Sequence, residues 1–99
     1  MKFSEKVYYY CGKIPKGKVT TYQEIGRAMK TKAYRAIGTA LKNNPNPIKV
    51  PCHRVIRNNG EIGGYNGILN SKKKIKLLEK EGVKIKNNKI DLKKYLHNF

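Results

Sequence analysis

A chain of 99 residues buries a modest core and leaves no room for a separate cofactor-binding domain, so one site should carry the function. Its 23 Lys and Arg against 6 Asp and Glu give a formal net charge of +17, a field that attracts polyanions and repels basic partners. No apolar run reaches bilayer length, no lipidation signal or amphipathic membrane helix is visible, and Met1-Lys2-Phe3-Ser4-Glu5 lacks a signal-peptide core.

An intracellular protein with nucleic acid as partner is therefore expected, cytoplasmic in a prokaryote or nuclear in a eukaryote. Lys outnumbers Arg about five to one, so part of the excess can also serve as a solubilising surface. In chain order, Phe3, Val7, Tyr10, Cys11 and Ile14 recur at helical spacing and predict a helix over residues 3–13, ended by Ile14-Pro15-Lys16-Gly17. Cys11 lies on the apolar stripe and reads as a small buried hydrophobe. A reducing compartment argues against pairing it with Cys52.

Thr21-Tyr22-Gln23-Glu24 has the form of a capping box, in which the Thr hydroxyl and the Glu carboxylate each satisfy an orphan amide. The second helix starts there, presents Tyr22, Ile25, Ala28 and Met29 on one side, and runs out near Lys30-Thr31-Lys32. Ala33, Ala36, Ile37, Ala40 and Leu41 carry the same period through a third helix over 33–43. Two short helices joined by a tight turn make a helix-turn-helix candidate. Opposite the apolar stripe, Arg35, Gly38, Thr39 and Lys42 form a small, basic face suited to close approach to a phosphate backbone.

Asn43-Asn44-Pro45-Asn46-Pro47 breaks that helix. The segment from Ile48 to Ile56 follows, apolar at its ends and reactive in the middle. Residues 57–67 read as a glycine-rich loop with an aromatic tip. Ser71 to Glu81 predicts a fourth helix with Ile75 and Leu78 inward, five lysines outward and Gly82 as its stop. Val83-Lys84-Ile85 reads as extended, and Asp91 as the cap of a last short helix through Leu96.

Adjacent Cys52 and His53 suggest a thiol activated by an imidazole, because the thiolate is the attacking form. Adjacency alone is a weak signal, since neighbouring side chains in an extended segment point apart. Two distant cysteines and two histidines fit no zinc spacing, so neither a metal nor another cofactor is expected.

The wider segment Pro51-Cys52-His53-Arg54-Val55-Ile56 resembles the PCHRV active-site motif of the O6-alkylguanine-DNA alkyltransferases, or methylated-DNA–protein-cysteine methyltransferases. The likeness continues, in family order, through Gly17-Lys18-Val19-Thr20-Thr21-Tyr22-Gln23, Arg35-Ala36-Ile37-Gly38, Asn43-Asn44-Pro45, the stretch from Gly60 to Gly67, and Glu81-Gly82. It implies a mainly α, winged-helix-like domain with a helix-turn-helix and a glycine-rich active-site loop. It also implies a monomer that approaches double-stranded DNA from the minor groove, flips an O6-alkylated guanine and takes the alkyl group irreversibly onto Cys52. O4-alkylthymine is a second candidate substrate.

By the same resemblance, His53 takes the thiol proton through a water, Glu81 orients His53 with Glu79 as the alternative, and Tyr22 donates a proton to guanine N3. Arg35 would fill the gap left by the flipped nucleotide, with Gly38, Thr39 and Lys42 beside it on DNA. Asn44 would tie the helix pair to the active-site segment, while Val55 offers its carbonyl to the base and Tyr65 and Asn66 complete the pocket. Flipping is needed on physical grounds, since a stacked guanine does not present O6 to a buried thiol.

The family's additional N-terminal domain has no counterpart here, so residues 1–99 are expected to form a single DNA-binding and catalytic domain, with Val83 to Phe99 lending support. Alkyltransferase-like relatives of similar size bind O6-alkylguanine without repairing it and carry Trp in place of the cysteine. Three functions are thus in contention: a single-turnover alkyltransferase, a non-catalytic lesion sensor, and a general basic DNA-binding module.

Overall fold

A computed structural model describes residues 1–47, 49–65 and 71–99, with the backbone of 68 and 69. The chain opens with α1 (Phe3–Cys11), which buries Val7 and Cys11 and is followed by the buried Ile14. The strand β1 (Thr20–Thr21) runs directly into α2 (Tyr22–Met29). Thr21 makes that junction: its extended backbone ends the strand, and its Oγ1 accepts the amide hydrogen of Glu24 at 3.1 Å. Only half of the expected capping box forms, because the Glu24 carboxylate pairs with Arg27 at 3.1 Å.

The turn into α3 (Tyr34–Lys42) is tight because Gly26 lets the Tyr34 ring lie against α2. Starting the helix at Tyr34 corrects the expected stripe. Ala33 and Ala36 are exposed, and Ile37, Ala40 and Leu41 alone of that series are buried. A hydrogen bond from the Tyr8 hydroxyl to the Ala40 carbonyl, 2.8 Å, ties α1 to α3.

After the proline-rich break come a single 3-10 turn (Cys52–Arg54) and β2 (Val55–Ile56), which pairs in parallel with β1 in the register Thr20 to Val55 and Thr21 to Ile56. This two-residue pairing sets the geometry of the site, since it aligns the start of α2 with the exit from the 3-10 turn. An antiparallel pair, β3 (Gly64–Tyr65) with β4 (Ile68–Leu69), then leads to α4 (Lys72–Lys80).

α4 ends in a Schellman motif. Gly82, at φ +92°, brings its own amide to the Glu79 carbonyl and the Val83 amide to the Leu78 carbonyl, both at 3.0 Å. Of the five lysines expected to face outward, Lys74 instead turns fully inward, because Ser71, Lys74, Ile75 and Leu78 share one stripe of the helix.

Residues 83–85 carry no regular structure, and Asn87 and Asn88, both with positive φ, turn the chain between Lys86 and Lys89. Asp91 caps α5 (Leu92–Tyr95) by accepting from the Lys93 amide at 3.0 Å. The chain beyond α5 lies beside β1: the His97 amide donates to the Val19 carbonyl at 2.7 Å, and the Val19 amide to Tyr95 at 2.9 Å.

The core has two lobes. One joins α1, α2 and α3 to Cys52, Val55 and Tyr65; the other joins Val19, Ile56, Ile62 and Leu78 to Val83, Ile90 and Tyr95. The segment after Val83 thus supplies part of the second lobe. Among the described residues, no helix is long and apolar enough to cross a membrane.

The turn between α2 and α3 should be intolerant of even one methyl. A Cβ on Gly26 would stand 2.6 Å from Tyr34 Cε1 and 2.8 Å from the Thr31 carbonyl oxygen, so Gly26→Ala should cost about 2 kcal/mol, read as a lowered denaturant midpoint at unchanged slope.

Candidate functional site

The segment expected to be extended is a 3-10 turn, closed by the Arg54 amide donating to the Pro51 carbonyl at 2.9 Å. With three residues per turn, successive side chains diverge by about 120°. Cys52 therefore points into the first core lobe, while His53 and Arg54 both reach the C-terminal end of α4.

There they meet Glu81. His53 Nε2 donates to Glu81 Oε2 at 3.1 Å, Arg54 Nε donates to Oε1 at 2.9 Å and Arg54 Nη2 to Oε2 at 2.6 Å. The third guanidinium nitrogen of Arg54 donates to the Ile14 carbonyl at 2.8 Å, tying the exit of α1 to the same group. Glu81, not Glu79, is the partner of His53. Burial alone would raise the Glu81 carboxyl, but the hydrogen bonds from Arg54 and His53 outweigh it and hold the group below its ordinary value.

His53 is itself pushed down by burial, against the opposing pull of Glu81, so the ring is neutral at neutral pH. With Nε2 donating to the carboxylate, Nδ1 carries the lone pair. It is buried and has no hydrogen-bond partner among the described residues. An imidazole with one nitrogen anchored and the other free to accept is set up as a base.

Lys74 is the residue that sequence reasoning missed. Fully buried, it donates from Nζ to the Val55 carbonyl at 2.7 Å and to the Gly64 carbonyl at 3.0 Å, joining β2 to β3. Burial pushes its ammonium down to about 7, and negative charge on Cys52 or Cys11 would pull it back up. The signal available in the sequence was its helical phase, one residue before Ile75 and four before Leu78. Arg54 lay inside the recognised motif without an assigned task.

Cys52 is 6% exposed and packs with the first lobe rather than opening to solvent. Cys11 is buried in the same lobe, its thiol raised to about 12 mainly by burial. Tyr22 is half-buried; burial raises its phenol, a nearby Arg57 charge opposes this, and Cys52 adds to it. Tyr22 therefore stays protonated, and it packs against the core lobe that holds Cys52. Its other side lines an open cleft of about 680 Å³.

α3 forms one wall of that cleft with Arg35, Gly38, Thr39 and Lys42, the four residues read as its basic face. Gly38 is helical, and a Cβ there would meet nothing nearer than Tyr22 Cε1 at 3.9 Å, so the fold does not demand glycine at this position. The opposite wall is the loop 57–59 with Gly64. Asn44 Nδ2 donates to the Val50 carbonyl at 2.7 Å, linking the end of α3 to the approach to Cys52. Val55 is buried with its carbonyl engaged by Lys74, and Tyr65 is buried in the first lobe. Asn66 lies outside the described residues.

A winged helix-turn-helix bearing a cysteine, an anchored histidine and a shared carboxylate is a recognisable class. The family described as 6-O-methylguanine DNA methyltransferase, DNA binding domain, matches residues 2–83, and the chain belongs to it. A methylated-DNA–protein-cysteine methyltransferase of Saccharolobus islandicus is 50% identical over 84 residues, 84% of this chain and 52% of that protein. A bifunctional methyltransferase/endonuclease of Picrophilus torridus is 41% identical over 93 residues, 93% of this chain and 30% of that protein. The chain thus spans about half or less of these curated relatives. Among solved structures, S. pombe Atl1 in complex with damaged DNA containing O6-carboxymethylguanine superposes with a TM-score of 0.87 at 33% identity, covering 100% of both chains.

Removing one partner from the nearly buried Arg54–Glu81 pair leaves a charge uncompensated, so Arg54→Met should cost about 3 kcal/mol at neutral pH. Because the folded Glu81 carboxyl lies below its ordinary value, the stability it contributes is complete above that value and is lost as pH falls through the folded one. The gap between wild type and Arg54→Met should accordingly narrow on acidification, as followed by denaturation across pH.

Proposed function

We propose that the chain repairs DNA directly, accepting the alkyl group of an everted O6-alkylguanine on Cys52 in a single irreversible turnover. The observation that carries this reading is the bare, buried Nδ1 of a His53 ring anchored at Nε2, in the residue next to Cys52. The thiol proton passes to Nδ1 through a water, leaving a thiolate as nucleophile. The sulfur lone pair attacks the alkyl carbon, the bond from carbon to O6 breaks, and its electron pair moves into the guanine ring. Tyr22, held protonated by burial, donates to N3 as that charge develops. Return of the proton from His53 to Tyr22 leaves a thioether, neutral side chains and the N3-protonated tautomer of guanine, which becomes unmodified guanine by losing that proton and gaining one at N1 from water.

The walls of the cleft support the binding half of the reading. Arg35 and Gly38 line the cleft, and the fold leaves Gly38 free to be larger; in this reading Arg35 enters the duplex behind the everted nucleotide and the small Gly38 lets α3 approach a minor-groove backbone. Thr39 and Lys42 extend that contact. In this reading the base reaches Cys52 past Tyr22 and Gly64, with Val55 and Tyr65 lining its seat. Flipping costs a few kcal/mol, less at a mispaired lesion, which itself favours damaged sites.

A second reading, a lesion sensor without chemistry, is favoured by the full-length likeness to Atl1. Cys52 separates the two. After mixing with duplex carrying O6-methylguanine, intact-mass analysis should find one added methyl on the peptide holding Cys52; a stable complex with no mass gain would establish the sensor instead.

The pH dependence has a definite sign. His53 must be neutral to act, and its value is lowered, so single-turnover transfer should persist below the ordinary histidine range and fall only as the ring protonates. Glu81→Gln removes the partner that raises His53, so the acid limb should move to still lower pH while the plateau drops about a hundredfold.

A further inference from the structure

Arginine is scarce in this lysine-rich chain, and its four copies divide in two. Arg27 pairs with Glu24, and Arg54 is consumed by Glu81 and Ile14. Arg35 and Arg57 have no side-chain hydrogen bond among the described residues, and both line the same cleft, on opposite walls. Arg57 has one long, exposed ion pair, with Glu61 Oε2 at 3.9 Å, which is beyond hydrogen-bond reach and weak in solvent, while Glu61 Oε1 is held by Asn59 at 2.9 Å.

The loop that carries Arg57 is ordered by bonds of its own. Gly60, at φ +91°, closes a turn by donating to the Arg57 carbonyl at 3.0 Å. Asn58 Oδ1 accepts from the Gln23 amide at 3.1 Å, so the loop is fastened to the first turn of α2 beside Tyr22. The aliphatic stem of Arg57 lies across Gly63, where an added Cβ would stand 3.3 Å from Arg57 Cγ. The side chain is half-exposed, and its charge acts on the Tyr22 phenol.

Among the described residues, a half-exposed guanidinium on a fastened loop, with no hydrogen-bonded carboxylate and sharing with a second such guanidinium a cleft that no acidic side chain lines, suits a phosphate diester. We propose that Arg57 binds the backbone phosphate of the everted nucleotide, so that the damaged strand is gripped between α3 and the loop after β2. This assignment rests on the DNA-repair reading above. It adds a contact from outside the helix-turn-helix, on the strand that must swing out. Wild-type protein bound to undamaged duplex would use Arg35 and its neighbours on α3, and the Arg57 contact would be completed only when the nucleotide turns out.

Fluorescence anisotropy over a salt series tests it, with duplexes that are identical except for one O6-methylguanine. Each lost phosphate contact lowers the slope of log affinity against log salt by about 0.9. Arg57→Gln should lose about one such contact and about tenfold in affinity on the lesion duplex, and distinctly less on the undamaged one. Arg57→Lys should recover most of the slope. Lys6→Gln removes the same charge from the exposed surface of α1 and should leave the slope in place.

An unchanged slope in Arg57→Gln would overturn the assignment, as would an equal loss in Lys6→Gln, which would reduce Arg57 to a share of the general field. An affinity loss without a slope change would place Arg57 on a base and overturn it as well. The repair reading fails separately, through the absence of methyl transfer by the wild type, whatever the slopes.

Discussion

A single carboxylate organises the site. Glu81 stands at the end of α4, where the carbonyl end of the helix dipole disfavours negative charge by a few tenths of a kcal/mol or more. It is nevertheless held ionised, because Arg54 presents two N–H groups in one plane and His53 a third. Those bonds fix the plane of the carboxylate, which fixes the imidazole tautomer, which leaves one ring nitrogen of the residue next to Cys52 without a partner among the described residues. The fold serves this arrangement at both ends. Gly82 takes the left-handed conformation that stops α4 one residue later, and Arg54 carries the exit of α1 into the same cluster through Ile14.

The second organising group is Lys74, which does for the backbone what Glu81 does for the side chains. Its ammonium joins the Val55 and Gly64 carbonyls and so holds β2 and β3 together. A cation kept in that position at the cost of full desolvation is tolerated only with good acceptors, and the two carbonyls supply them. The reactive sulfur is correspondingly sheltered. Cys52 is packed rather than displayed: it does not line the open cleft, whose lining residue Tyr22 packs against the lobe that holds it.

Much of this was legible where local chemistry leaves one choice. Thr21 as a cap, Gly82 as a stop and Asp91 as the start of the last helix each follow from satisfying orphan backbone groups, and all three occur. The basic face of α3 followed from helical period, and Arg35, Gly38, Thr39 and Lys42 do share one wall. Illegible features were those set by distant pairing. A two-residue strand has no alternation to read, yet β1 against β2 brings Tyr22 to the active-site turn. Lys74 sits in a run of three lysines whose outward look conceals one inward position. The stripe through Ala33 and Ala36 failed because Tyr34, packing on Gly26, sets where α3 begins.

The claim on which everything else rests is the tautomer of His53. Solution NMR of protein carrying nitrogen-15 histidine, with His53→Gln to separate the signal from that of His97, reads it directly at neutral pH. The account requires a neutral ring protonated at Nε2 with Nδ1 bare. A ring protonated at Nδ1, or an imidazolium, would contradict it.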